Sequence, residues 1–166
     1  MVGRLLSNMK PVIQQDRTGC ALASIAALTL QDYQTVKNAA AKLGVCVTDP
    51  KLWSDTRHVR RLLQHFDLSA DRKEKFTTWS ALPDRALLAI KWHEGTSGPA
   101  WHWVVFVRQT SGSWVLDSKK ALRRHVRTDF GRMKPKWFMR VREKNVRSTV
   151  RQAGGEIKSV AGGRTR

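Results

Sequence analysis

Four short runs in the second half of the chain, RALLAIKW (85–92), HWVVFVRQ (102–109), SWVLDS (113–118) and KWFMRVR (136–142), are rich in β-branched and aromatic residues. Gly, Ser, Pro or charged clusters separate them, the pattern of β-strands. The step from VRQ through TSG to SWVLD predicts a tight hairpin. The first half reads differently. CALASIAAL (20–28) is compact, apolar and rich in helix formers. Thr29 with Asp32 resembles a capping box opening a second helix, LQDYQTVKNAAAKLG, closed by Gly44. A third helix is predicted from near Ser54 through TRHVRRLLQHF, with Val59, Leu62, Leu63 and Phe66 on one face. Helices first and strands second predict an α+β domain, N-terminal helices packed on a C-terminal antiparallel sheet.

At 166 residues and 41% hydrophobic content the chain suffices for one domain with a real core. The chain is expected to divide into a globular catalytic part, residues 1–144, and a basic tail, residues 145–166. The tail lacks aromatic residues and contains two Gly-Gly pairs, so a mobile extension is expected. Its AGGE and AGGR sequences invite a self-processing reading, but flexible-tail composition explains them more simply. Two cysteines make no disulfide framework, which favours a reducing compartment. MVGRLLSNMK lacks the long apolar segment of a secretory signal, and no later run is long enough to span a membrane. A soluble protein of the cytosol is expected, in the cell that makes it or in one it enters.

Net charge is +18, and residues 119–144 hold eleven Lys or Arg against two acids, Asp129 and Glu143. Such a surface attracts polyanions: nucleic acid, anionic lipid or an acidic protein. There is no zinc-finger spacing, no aromatic RNA-binding signature and no clean recognition-helix pair. Basic charge establishes attraction and leaves its purpose open.

Cys20 opens the first helix. A thiolate attacks carbonyls far better than a thiol, and a helix N-terminus favours the anion. Activation requires a histidine to take the proton and a carboxylate or amide to orient that histidine. The tetrahedral intermediate also needs donors for its oxyanion. Each role has a candidate: Gln14 and Gln15, six and five residues before Cys20, could fold back beside the thiol. His102 begins the most apolar strand, and Asp117 ends the next strand across the hairpin. Taken singly, Cys20 is a packing residue, His102 a half-buried structural histidine and Asp117 a turn aspartate. In this order and on these elements they form a constellation.

Q14QDRTGC20ALASIAAL, H102WVVFV and WVLD117S together resemble the papain-like cysteine peptidases, most closely the branch that removes double-glycine leaders from bacteriocins. The resemblance covers roughly residues 11–142. It implies a papain-like fold with Cys20 as nucleophile, His102 as general base and acid, Asp117 as histidine orienter and Gln14 as oxyanion donor. Gln15 remains the other choice for that donor. Two departures loosen the link to that substrate class: Ala21 stands where the branch commonly has Gly, and Ser118 where it usually has Pro.

Several residues compete for, or flank, this site. His93, in the Gly- and Ser-rich WHEGTSGPAW, is the rival base, though a loop would hold it less firmly than a strand holds His102. That loop is a candidate cover for the cleft, with Trp92, Trp101 and Trp103 as substrate walls or as core. His58 and His65 lack Cys or acidic partners in sequence, so no metal site is expected, and the chemistry calls for no cofactor. His125 reads as solvated, and Cys46, in GVCVTD, as a buried strand residue. The leading expectation is a cysteine peptidase acting on a peptide or protein, acidic ones included, through a thioester acyl-enzyme. The same residues suit a deamidase or acyltransferase-type effector or toxin. From another class comes a basic nucleic-acid-binding module with an inactive papain-like site, whose binding would fall steeply with salt.

Overall fold

A computed structural model describes residues 8–144. The tail at 145–166, with its Gly-Gly pairs, lies outside the described residues. Helices lead: α1 Cys20–Thr29, α2 Tyr33–Lys42, α3 Lys51–Ser54 and α4 Arg57–His65. Strands follow: β1 Leu68–Ala70, β2 Glu74–Lys75, β3 Arg85–Gly95, β4 Gly98–Gln109, β5 Gly112–Leu116, β6 Val126–Arg127 and β7 Trp137–Glu143. One further helical turn, α5 Phe130–Met133, lies between β6 and β7. The strands make a seven-stranded sheet in the order β1-β7-β3-β4-β5-β6, with β2 also pairing β7, and every pairing is antiparallel.

Why α1 sits at the centre follows from its sequence. Residues 20–28 are buried on every side, as an all-apolar helix of small residues must be. It packs on β4 while α2 and α4 pack against it. Leu22, Ile25 and Leu28 each lose all solvent exposure, contributing roughly 2 kcal/mol apiece by transfer. The opposite sheet face carries its own core of Leu88, Ile90, Val104, Phe106 and Phe138, covered by Phe76, Trp79 and Phe130. With both faces covered, ALLAI in β3 and WVVFV in β4 are continuous rather than alternating apolar runs.

Element boundaries depart from the sequence reading in identifiable ways. The second helix begins at Tyr33, because Asp32 itself is the N-cap: its carboxylate accepts from the Thr35 amide at 2.6 Å. Thr29 instead ends α1, its hydroxyl donating to the Ile25 carbonyl at 2.8 Å. Gly44, at φ +70, terminates α2 as expected of a left-handed C-terminal position. The expected third helix is α4, which starts at Arg57 after Asp55, whose carboxylate accepts from the Arg57 amide at 2.8 Å; the short α3 before it was not expected. WHEGTSGPAW is not a covering loop: β3 and β4 continue through it to a two-residue turn at Thr96–Ser97, after a bulge between Ile90 and His93. Among the described residues no helix is long and apolar enough to cross a membrane.

Candidate active site

The β4–β5 hairpin turns at Thr110–Ser111, so its open end holds the start of β4 and the exit of β5. His102 lies on the first of these, and Asp117 follows directly on Leu116, the last residue of the second. His102 Nε2 donates to Asp117 Oδ1 at 2.8 Å. The carboxylate is almost wholly buried, at 1% side-chain exposure against 15% for the imidazole. Cys20 acts on the same ring, its influence among those that favour the imidazolium. With Nε2 given to Asp117, Nδ1 is the ring nitrogen left for the sulfur. Of the three residues singled out from three segments, His102 and Asp117 are joined by a hydrogen bond, and Cys20 acts on the protonation of the same ring.

The electrostatics are reciprocal. Burial, the largest single influence on His102, disfavours its cation, but the hydrogen bonds and charges of Asp117 and Cys20 outweigh burial and push its pKa up to about 9. Burial likewise works against the Asp117 anion. Hydrogen bonds from His102 and Arg127, with the imidazolium charge and the Lys119 amide, overcome it and bring the carboxyl down to about 2. Asp117 is held on several sides. Its Oδ2 accepts from Arg127 Nη1 at 2.9 Å and its Oδ1 from the Lys119 amide at 3.1 Å.

The approach to Cys20 is a braced loop. Gln14 is tied to the end of β5: its amide donates to the Ser118 carbonyl at 3.0 Å, and its Oε1 accepts from the Ser118 hydroxyl at 3.2 Å. Its Nε2 donates to the carbonyls of Asp16 (3.1 Å) and Arg17 (2.9 Å), closing the loop on itself. Asp16 in turn accepts from the Tyr33 hydroxyl and from Lys37 Nζ, each at 2.9 Å. The Lys37 hydrogen bond is the main reason its carboxyl lies below the usual range. Gly19 caps α1 without any side-chain hydrogen bond, which leaves the first helical N–H groups free of a cap. A Cβ on Gly19 would lie 1.9 Å from the Tyr33 hydroxyl, so only glycine permits this approach. Asp16, Tyr33, Lys37 and Arg127 were not singled out from sequence. Only the position of Asp16 between Gln14 and Cys20 offered any signal.

Other candidates fall away from the site. Trp103 has no solvent exposure and donates Nε1 to the Leu52 carbonyl at 2.7 Å, so it belongs to the core and forms no cleft wall. Trp101, at 6% exposure, packs edge-to-face on Trp103 and Trp137, which makes it core as well. Trp92 is exposed, with Lys136 Nζ 4.8 Å from its ring centre. Gln15 is exposed, and its carbonyl accepts from Lys120 Nζ at 3.3 Å. His93 is exposed and donates Nδ1 to the Lys91 carbonyl at 3.0 Å. His58 is bound to Asp49 at 2.9 Å. Two readings are corrected outright. His125 is not solvated: it is half-buried, its ring donating to the Asp117 carbonyl at 2.9 Å. Cys46 is exposed rather than buried, and a hydrogen bond with Thr48 lowers its thiol pKa.

No protein-family model matches the chain, and no curated protein sequence matches it. Among solved structures it is similar to a double-glycine-motif protease from an AMS/PCAT transporter, crystallised in complex with the leader peptide. The two share 14% identity over 81% of this chain and 91% of that one, with a TM-score of 0.50. At that identity the likeness is one of architecture: this chain has the fold of a double-glycine-motif protease.

Proposed function

We propose that this chain is a papain-like cysteine peptidase that cleaves an amide bond of a peptide or protein through a thioester. The observation that carries the reading is the His102 ring, bound through one nitrogen to a buried carboxylate and favoured as a cation by Asp117 and Cys20. The Cys20 sulfur adds to the carbonyl carbon, and His102 hands its proton to the departing amine as the C–N bond breaks. Water then attacks the thioester, with His102 taking its proton and returning one to the sulfur. Asp117 keeps the ring oriented and favours its cation.

The backbone N–H groups opening α1 and the Gln14 side chain are the oxyanion donors. Gln14 Nε2 takes that role by releasing the Asp16 or the Arg17 carbonyl. A deamidase or transferase would use the same residues and differ only in the bond broken or the acceptor.

The test is a comparison of peptide N-termini in a cell lysate treated with wild-type protein, Cys20→Ala or His102→Ala. New N-termini made by the wild type alone are expected, each variant losing roughly 10²–10⁴-fold in rate. Conversion of side-chain amides to acids without new N-termini would reassign the site to deamidation. A lysate changed equally by wild type and both variants would refute thiol catalysis.

A further inference from the structure

A cleft of about 470 Å³ opens on the other side of Arg127, lined by Arg123, Arg124, Arg127 and Arg132, with Asp129 and the aliphatic Val126. Arg127 is already neutralised, giving Nη1 to Asp117 and its Nε and Nη2 to Asp129. Arg123, Arg124 and Arg132 are exposed, and among the described residues none of them has an ion-pair partner within hydrogen-bonding distance. The one carboxylate in the lining, Asp129, is already bound by Arg127, so the three other guanidinium groups on this concavity constitute an unfilled demand for anions. Guanidinium forks meet carboxylates in bidentate geometry.

We propose that this cleft binds a carboxylate-bearing segment of the peptide substrate. The volume lies in the range of small-ligand sites, enough for a few side chains. Its position favours a substrate segment, because Arg127 is at once a wall of the cleft and a ligand of the Asp117 carboxylate at 2.9 Å. Composition argues against a nucleic acid as occupant. None of the lining residues is aromatic, so no base can stack on the cleft wall. Val126, 49% exposed, suits the aliphatic stem of a glutamate. The choice of a peptide rests on the peptidase reading above; the choice of carboxylates rests on the arginines alone.

The test uses equilibrium binding, so it stands whether or not the protein hydrolyses anything. Full-length Cys20→Ala protein is titrated against a fluorescein-labelled peptide of alternating Glu and Gly, its Gln–Gly counterpart, and an oligothymidylate of equal charge, with fluorescence anisotropy as readout. The Glu peptide should bind at least tenfold more tightly than the Gln peptide. That advantage should disappear in Arg123→Ser/Arg132→Ser and reverse in Arg123→Glu/Arg132→Ser, two variants whose exposed positions leave the fold untouched. Undiminished Glu-peptide binding in the double variants would assign the attraction to the rest of the basic surface and overturn the proposal. Tighter oligothymidylate binding that vanishes in the same variants would overturn it in favour of nucleic acid.

Discussion

Arg127 Nη1 donates to Oδ2 of Asp117 at 2.9 Å, while Oδ1 of the same carboxylate accepts from His102 at 2.8 Å. The two contacts fix both oxygens of a carboxylate with 1% exposure. Such a carboxylate can neither rotate nor protonate without breaking one of them. Arg127→Gln removes the charge and the fork. Stability should fall by about 1–3 kcal/mol, because Asp117 keeps its other donors. The acid limb should also move. The folded Asp117 carboxyl, at about 2, lies below its ordinary 3.8, so its stabilisation is present above 3.8 and lost as pH falls through about 2. In Arg127→Gln the folded pKa should lie closer to 3.8, so that loss should be smaller and complete at a higher pH, shifting the acid midpoint upward in denaturation followed by circular dichroism. An unmoved acid midpoint would show that Arg127 does not act on Asp117.

His102 gives the opposite dependence. Its folded pKa, about 9, stands above its ordinary 6.5, so its contribution is complete below 6.5 and drains away as pH rises through about 9. Asp117→Asn removes the principal support of the imidazolium, leaving burial to work against it. The His102 ring resonance should then titrate at least one unit lower by NMR. The decline of Tm toward alkaline pH should likewise flatten relative to wild type. Identical titration in the two proteins would mean that the ring gains nothing from the acid.

How far this site could be read in sequence depended on the range of the interactions involved. Cys20, His102 and Asp117 could be singled out because Cys20 opens a helix, His102 heads the most apolar stretch of β4 and Asp117 directly follows β5, positions that periodicity marks and residue type makes chemically pointed. Arg127 was not, since an arginine in a run of eleven basic residues looks like its neighbours until Asp117 is seen beside it. Cys46 misled because GVCVTD has a strand-like composition, yet it follows the Gly44 turn as loop and leaves its sulfur in solvent. WHEGTSGPAW misled for a related reason. Gly and Ser usually mark a loop, but here Gly95 pairs with Gly98 around a two-residue turn and extends both strands. The short β1, β2 and β6 exist through pairing with β7 and β5, a long-range cause that no local window contains.

Trp103 separates a core role from a substrate role. Its indole N–H satisfies the Leu52 carbonyl at 2.7 Å with both groups buried. Trp103→Phe preserves most of the apolar volume and orphans that carbonyl. A loss of about 1–3 kcal/mol in urea unfolding is expected, with KM for a cleaved peptide unchanged. A raised KM at undiminished stability would return Trp103 to the cleft.

Gly19 tests whether the loop before Cys20 must be braced as it is. Its φ of −82° is open to any residue, so the demand for glycine comes from space alone. A methyl group there would meet the Tyr33 hydroxyl at 1.9 Å and the ring carbon bearing it at 2.9 Å. That hydroxyl cannot swing away freely, because it donates to Asp16, which Lys37 also holds. Gly19→Ala should therefore displace the start of α1 and with it Cys20, cutting turnover at least tenfold, since misplacing a reacting group by about 1 Å can cost 10²-fold. Adding Tyr33→Phe removes the closer clash but leaves the ring carbon, so the double variant should recover part of the lost turnover. Tyr33→Phe alone should lower Tm slightly through the loss of one hydrogen bond. Full activity in Gly19→Ala would show that the loop yields without moving the sulfur. No recovery in the double variant would place the damage somewhere other than the Tyr33 contact.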